Sequence, residues 1–241
     1  MRRIRFPTAT VFSLACLYAS VLPAAASDAV TDRLQEAYAP YRAALFKTNG
    51  NSQADAQAAL EQAQAAWSKI QAQFSSQVPA PYDRDAGFAA TLAEVAKIYG
   101  KAMAEVKANQ LTDAHNTLED ARDALAALRS RNHVVVFSDH MNAYHAEMEH
   151  VLIDGSKLLD QPQGMQKLTA QAGVLQYLAQ RLVSEAPANL KSNDEFKETS
   201  AAVIQSVKAL TAALFAQDAA AAKAAMGNIK KPYSKLFAKF G

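Results

Sequence analysis

Apolar side chains recur along most of the chain at the three- and four-residue spacing of an amphipathic helix. The stretch 111–128 shows this spacing well. Its apolar positions are Leu111, Ala114, Leu118, Ala121, Leu125 and Leu128. Alanine, leucine, glutamine, lysine and glutamate dominate the segments between turns, and all of them favour helix. No stretch alternates convincingly as a β-strand does, so we expect an all-α protein.

Turn-forming residues divide this pattern into about eight helices. The breaks fall at Gly50, the stretch 79–81, Asn109, Asn132, Gly155, the stretch 187–193 and Asp218. Several breaks recur after a near-constant interval, because Gly50 and Gly155 are 105 residues apart, as are Asp113 and Asp218. The interval predicts two tandem antiparallel four-helix bundles, at residues 28–131 and 132–241, with a single eight-helix array as the alternative.

The first 27 residues differ from the rest of the chain. Arg2, Arg3 and Arg5 precede an apolar run over residues 11–22, and three alanines follow at 24–26. This order is typical of a secretory signal peptide, and the run is too short to span a bilayer. We therefore expect residues 1–27 to be cleaved and the mature chain to be periplasmic, with no transmembrane segment. A twin-arginine signal and a lipoprotein are less favoured alternatives.

Charge and cysteine content exclude several classes of function. The 25 basic residues nearly balance the 23 acidic residues, which argues against a strongly basic nucleic-acid-binding protein. Cys16 is the only cysteine, and it lies within the predicted signal peptide. The mature chain would then contain no disulfide, no thiolate metal site, no cysteine nucleophile and no cysteine-linked haem.

The alanine-rich C-terminal segment carries a resemblance to a known family. Lys231 and Phe240 flank the positions Tyr233, Leu236 and Phe237. This arrangement resembles the last helix of cytochrome c-prime type periplasmic bundles, in which a lysine and an aromatic residue flank the cysteines and histidine that bind haem. Tyrosine, leucine and phenylalanine replace those three residues here. The resemblance implies a bundle of that architecture without covalent haem, and it transfers no functional residue.

Four of the five histidines fall in one short segment, which we expect to be a helix over residues 133–154. Asn132 is the predicted N-cap and Gly155 the predicted stop. The predicted core stripe consists of Phe137, Met141, Tyr144, Met148, Val151 and Leu152. A second, polar line runs beside this stripe at seven-residue intervals. Its members are His133, His140, Glu147 and Asp154.

The polar line suggests a metal site. His150 follows Glu147 by three residues, so a carboxylate and an imidazole lie close enough on one side of the helix to share an ion. The equivalent positions of the first predicted bundle carry leucine, tyrosine and alanine, so a bundle does not need polar groups there. The predicted metal ligands are His140, Glu147 and His150, completed by Asp154, His145 or His133.

The identity of the ion stays open between zinc, copper, iron and nickel, because imidazole with carboxylate suits all four. Met141 and Met148 beside His145 would suit copper(I). His145 with Glu149 reads more simply as a structural pair four residues apart, and His115 as an isolated histidine. The sequence therefore predicts a metal-binding helix without fixing its metal.

Catalytic motifs are missing from the sequence, which has no G-x-S-x-G elbow, no H-E-x-x-H helix and no glycine-rich phosphate loop. We therefore expect a binding protein rather than an enzyme, serving in uptake, buffering or delivery of a metal ion. The alternative is an envelope protein-interaction module without metal. Its binding surface would include the basic and aromatic tail over residues 230–241.

Overall fold

The computed structural model describes residues 28–50 and 52–241, and these residues form an all-α protein, as the sequence predicts. The helices are α1 (Ala29–Thr48), α2 (Gln53–Gln73), α3 (Phe88–Lys107), α4 (Leu111–Arg131), α5 (Phe137–Leu159), α6 (Gly164–Ser184), α7 (Ala188–Lys191), α8 (Asp194–Phe215), α9 (Ala219–Gly227) and α10 (Lys230–Phe240). A 3-10 turn at Tyr82–Arg84 lies between α2 and α3. The predicted signal peptide lies outside the described residues.

Side chains at the N-termini explain where several helices begin. Asp28 accepts a hydrogen bond from the backbone N–H of Thr31 at 2.7 Å before α1. Asn193 and Asp218 act in the same way before α8 and α9, each at 2.9 Å. Each oxygen satisfies a backbone N–H that has no partner within its helix. Asp218, at one of the predicted breaks, therefore caps the start of α9.

The histidine-rich helix α5 begins and ends later than the sequence predicts. Asn132 ends α4 instead of capping α5, and His133 follows it in a left-handed conformation with φ of 55°. Gly155 lies inside α5, where an added Cβ would overlap the side chain of Met226. Gly155 therefore permits close packing of α5 against α9. The predictions of Asn132 as N-cap and Gly155 as stop are wrong.

Two groups of buried apolar side chains hold the helices together. The first belongs mainly to α1–α4, and the second to α5, α6, α8, α9 and α10. The predicted core positions Met141, Tyr144, Met148 and Val151 are fully buried in the second group. Phe237 packs against both groups. The division into two bundles and the alternative of one eight-helix array stay predictions.

Polar contacts join the two groups of helices. Arg129 at the end of α4 binds Asp139 in the first turn of α5, with Nε 3.0 Å from both carboxylate oxygens. Arg42 in α1 donates to the backbone carbonyl of Gly241. None of the helices within residues 28–50 and 52–241 is long and apolar enough to cross a membrane.

Candidate functional site

A cavity of about 430 Å³ lies where α1 and α4 meet α5 and α10. This volume is in the range of small-ligand sites in proteins. Apolar side chains form part of the wall, and ionisable groups from three helices face the same space. These groups are His115, Glu119, Arg122, His145, Glu149 and Lys230. A concave site with convergent polar groups is the first place to look for ligand binding.

Two buried tyrosine hydroxyls fix the helices around the cavity. Tyr41 in α1 donates to the carbonyl oxygen of Leu118 in α4 at 2.9 Å, one residue before Glu119. Tyr233 in α10 donates to the carbonyl oxygen of Met141 in α5 at 3.0 Å. The ring of Tyr233 also packs on that of His145, with centroids 5.6 Å apart. Each tyrosine therefore ties one pair of cavity helices together.

His115 has a defined orientation at the cavity. Its Nδ1 lies 3.0 Å from the backbone carbonyl oxygen of Leu45. Because a carbonyl oxygen can only accept, Nδ1 donates, and in the neutral ring Nε2 carries the lone pair. Nε2 lies 3.2 Å from the amide nitrogen of Asn49, which donates to it. Burial lowers the pKa of His115, which favours this neutral form.

Glu119 joins the two histidines of the cavity. Its Oε1 lies 3.3 Å from Nε2 of His145 on α5 and 3.8 Å from Nε2 of His115 on its own helix. Arg122 also pairs with Oε1, at 3.2 Å. Hydrogen bonding from His145 and the charge of Arg122, against the opposing effect of burial, together lower the pKa of Glu119 to about 2. The carboxylate is therefore ionised throughout the physiological range.

A second carboxylate and a thioether face the same space. Glu149 lies one helical turn after His145 and pairs with Lys230 of α10, with 3.0 Å between Nζ and Oε1. Met148 also lines the cavity, although its side chain is inaccessible to solvent. The cavity thus presents two imidazoles, two carboxylates and one sulfur atom, together with two cationic side chains that balance the carboxylates.

Of the predicted metal ligands, only His145 lines this cavity. His145 and Glu147 are two residues apart, which corresponds to about 200° around a helix, so they face opposite sides. Glu147 and His150 form the expected pair, with 3.7 Å between Oε2 and Nδ1, but the side chain of His150 is 67% exposed. Asp154 and His133 are exposed as well.

His140 lies in a different environment, against α6. Burial lowers its pKa, and the charge of Arg181 on α6 lowers it further, whereas Glu185 raises it. Throughout residues 28–50 and 52–241, no three His, Cys, Asp or Glu side chains are grouped as a bound metal ion requires. Metal binding by His140, Glu147 and His150 therefore stays a prediction.

The sequence analysis missed His115, Glu119 and Arg122. A signal was present, because His115 and Glu119 on α4 have the same four-residue spacing as His145 and Glu149 on α5. A histidine and a glutamate at this spacing share one face of a helix. Two such faces in one chain could have indicated a shared site.

The C-terminal tail is integrated into the fold as α10. Tyr233 and Leu236 are buried, and the ring of Phe240 packs edge-on against Phe196 with centroids 5.4 Å apart. Lys239 pairs with Glu195 on α8. Binding of another envelope protein by residues 230–241 stays a prediction, and the packing leaves few of their apolar groups available for it.

No family model, curated protein or solved structure that we compared matches this chain. The resemblance of α10 to cytochrome c-prime type bundles therefore stays a prediction. At the positions of the haem-binding residues, Tyr233 and Leu236 are buried and Phe237 is half-buried.

Proposed function

We propose that this protein binds a transition-metal ion in the cavity, through Nε2 of His115, Nε2 of His145 and the carboxylate of Glu119. We further propose that it serves in uptake, buffering or delivery of this ion in the periplasm. The class of function is the one the sequence suggests, but the ligand set differs. Imidazole with carboxylate is a donor set that suits zinc, copper, iron and nickel.

One observation carries the proposal. Nδ1 of His115 donates to a backbone carbonyl, so Nε2 carries the lone pair, which accepts from the Asn49 amide and lies 3.8 Å from Oε1 of Glu119. Nε2 and Oε1 both accept hydrogen bonds, so they cannot form one with each other. A cation between them would bind both. The hydrogen bond to Leu45 is also the kind of contact that orients a metal-binding histidine and fixes its tautomer.

His115, Glu119 and His145 are not grouped closely enough to hold an ion as they stand, so binding requires these side chains to move together. Zinc donors lie about 2.0–2.1 Å from the ion, so neighbouring donors in a tetrahedron are about 3.3 Å apart. Nε2 of His145 already lies 3.3 Å from Oε1 of Glu119. To bind Nε2 of His145, the ion must displace the proton through which this nitrogen is hydrogen-bonded to Glu119. To bind Nε2 of His115, it must displace the Asn49 amide. A fourth position would remain open for water or for transfer of the ion.

Two double variants, each lacking two histidines, distinguish the cavity from the metal site predicted from sequence. His115→Ala with His145→Ala should lower the affinity for zinc at least about hundred-fold, because two of three donors are lost. His140→Ala with His150→Ala should leave the affinity within about three-fold, since neither residue lines the cavity. Isothermal titration measures the affinities, and circular dichroism checks that both variants are folded.

The reverse result would contradict the proposal and support the site predicted from sequence. If the wild-type protein binds none of zinc, copper, iron and nickel at micromolar concentrations, both metal sites are excluded. Purification of the wild-type protein from the periplasm with its metal content measured gives an independent check. Loss of that metal in the first double variant alone is the expected result.

The second prediction concerns pH. Metal affinity should fall as the pH is lowered, because protons compete for the imidazole nitrogens. Each displaced proton contributes up to about ten-fold in affinity per pH unit. Burial lowers the pKa of His115, so its contribution begins at a lower pH than for an exposed histidine. Glu119, with a pKa of about 2, adds nothing to the slope above pH 4. Zinc titrations between about pH 7.5 and 4.0 measure this profile.

A different profile would argue against this ligand set. If affinity is constant down to about pH 5 and is lost only near pH 4.3, where ordinary glutamates titrate, no imidazole proton is displaced. The ligands would then be carboxylates without histidine. The double variant His115→Ala with His145→Ala should show no pH dependence from imidazoles in any residual binding at the cavity.

A further inference from the structure

Resting on the metal site proposed above, we infer that its preferred ion is copper(I), with the thioether of Met148 as a donor beside His115 and His145. Met148 lines the same cavity as both histidines. It follows His145 by three residues on α5, so the two side chains lie on one face of the helix. Thioether sulfur selects copper(I) over harder ions.

The burial of Met148 favours this role. Its side chain is inaccessible to solvent and lines the cavity, so an ion bound by its sulfur would be shielded from water on that side. A methionine has three rotatable bonds, and its sulfur can turn towards an ion bound at His145. Arg122 already pairs with Glu119 at 3.2 Å, so a monovalent ion adds less unbalanced positive charge to this half-buried site than a divalent ion would.

Two imidazoles and one thioether would give copper(I) three donors, one of them soft. In residues 28–50 and 52–241 no cysteine is present to supply a thiolate, so methionine is the soft donor that the cavity offers.

Met141 provides a matched control for Met148. Both methionines are fully buried on the same face of α5, but Met141 does not line the cavity. Leucine replaces methionine with little change in volume, so both variants should fold. Copper(I) affinity is measured anaerobically by competition with bicinchoninate in the presence of ascorbate. Zinc affinity is measured in parallel by isothermal titration.

Met148→Leu should lower copper(I) affinity at least ten-fold while zinc affinity stays within about two-fold. Met141→Leu should change neither. Unchanged copper(I) affinity in Met148→Leu would overturn the copper inference, as would an equal loss in Met141→Leu. Zinc binding that requires His115 and His145 would then still support the proposed function. If the wild-type protein binds neither ion, the proposed function itself fails.

Discussion

Gly164→Ala should destabilise the protein by about 3 kcal/mol or more, whereas Gly173→Ala in the same helix should stabilise it by up to about 1 kcal/mol. Gly164 opens α6 directly after Gln163, whose φ of 60° turns the chain back towards the end of α5. A Cβ on Gly164 would overlap the backbone carbonyl of Leu158. Backbone cannot move aside as the end of a flexible side chain can.

Gly173 offers the matched control because nothing lies within 4 Å of the position its Cβ would take. Alanine there only reduces the conformational freedom of the unfolded chain and favours the helix. Urea and thermal unfolding of both variants measure the difference. For a chain of this size, about 3 kcal/mol corresponds to about 6–12 °C in Tm. Equal effects of the two substitutions would contradict the tight turn between α5 and α6.

Helical spacing and breakers were sufficient to predict the fold class, because these signals are local. Local signals were not sufficient to predict where α5 begins. An asparagine side chain can accept at a helix N-terminus or donate at a C-terminus, so residue type alone does not decide between them. Asn132 donates to the carbonyl oxygen of Leu128 and to Asp85, and therefore ends α4. Asp85 is a tertiary partner that no local pattern reveals.

The candidate site was harder to predict than the fold. Periodicity shows which residues share a face of one helix, but it does not show which faces meet. His145 on α5 faces Glu119 on α4 across a cavity that is also lined by α1 and α10. The concentration of histidines in one segment instead drew attention to His140 and His150. Those two side chains lie outside the cavity, against α6 and in solvent.

Asp139→Ala should destabilise the protein by about 3–5 kcal/mol, because it leaves the buried guanidinium of Arg129 without its counter-charge. The side chain of Arg129 is only 3% exposed and contacts both oxygens of Asp139. Asp139 also accepts from the backbone N–H of Val136 at the start of α5. Asp123→Ala is the control, since its carboxylate pairs with Arg122 but is 71% exposed, and it should cost less than about 1 kcal/mol.

Replacing both Arg129 and Asp139 distinguishes the loss of the ion pair from the cost of burying an unpaired charge. Arg129→Leu with Asp139→Leu should recover most of the stability lost in Asp139→Ala, because no unpaired charge stays buried. Urea unfolding of the two variants measures this recovery. If the double variant is as unstable as Asp139→Ala, the pair itself, or the hydrogen bond to Val136, contributes the stability.

The same variants test whether this ion pair positions the cavity. Arg129 and Asp139 join α4 to α5, and these two helices carry Glu119 and His145. If the pair sets the distance between the helices, zinc affinity in Asp139→Ala should fall at least five-fold at temperatures where the variant is still folded. Unchanged affinity in the folded variant would mean that contacts other than this ion pair set the distance between α4 and α5.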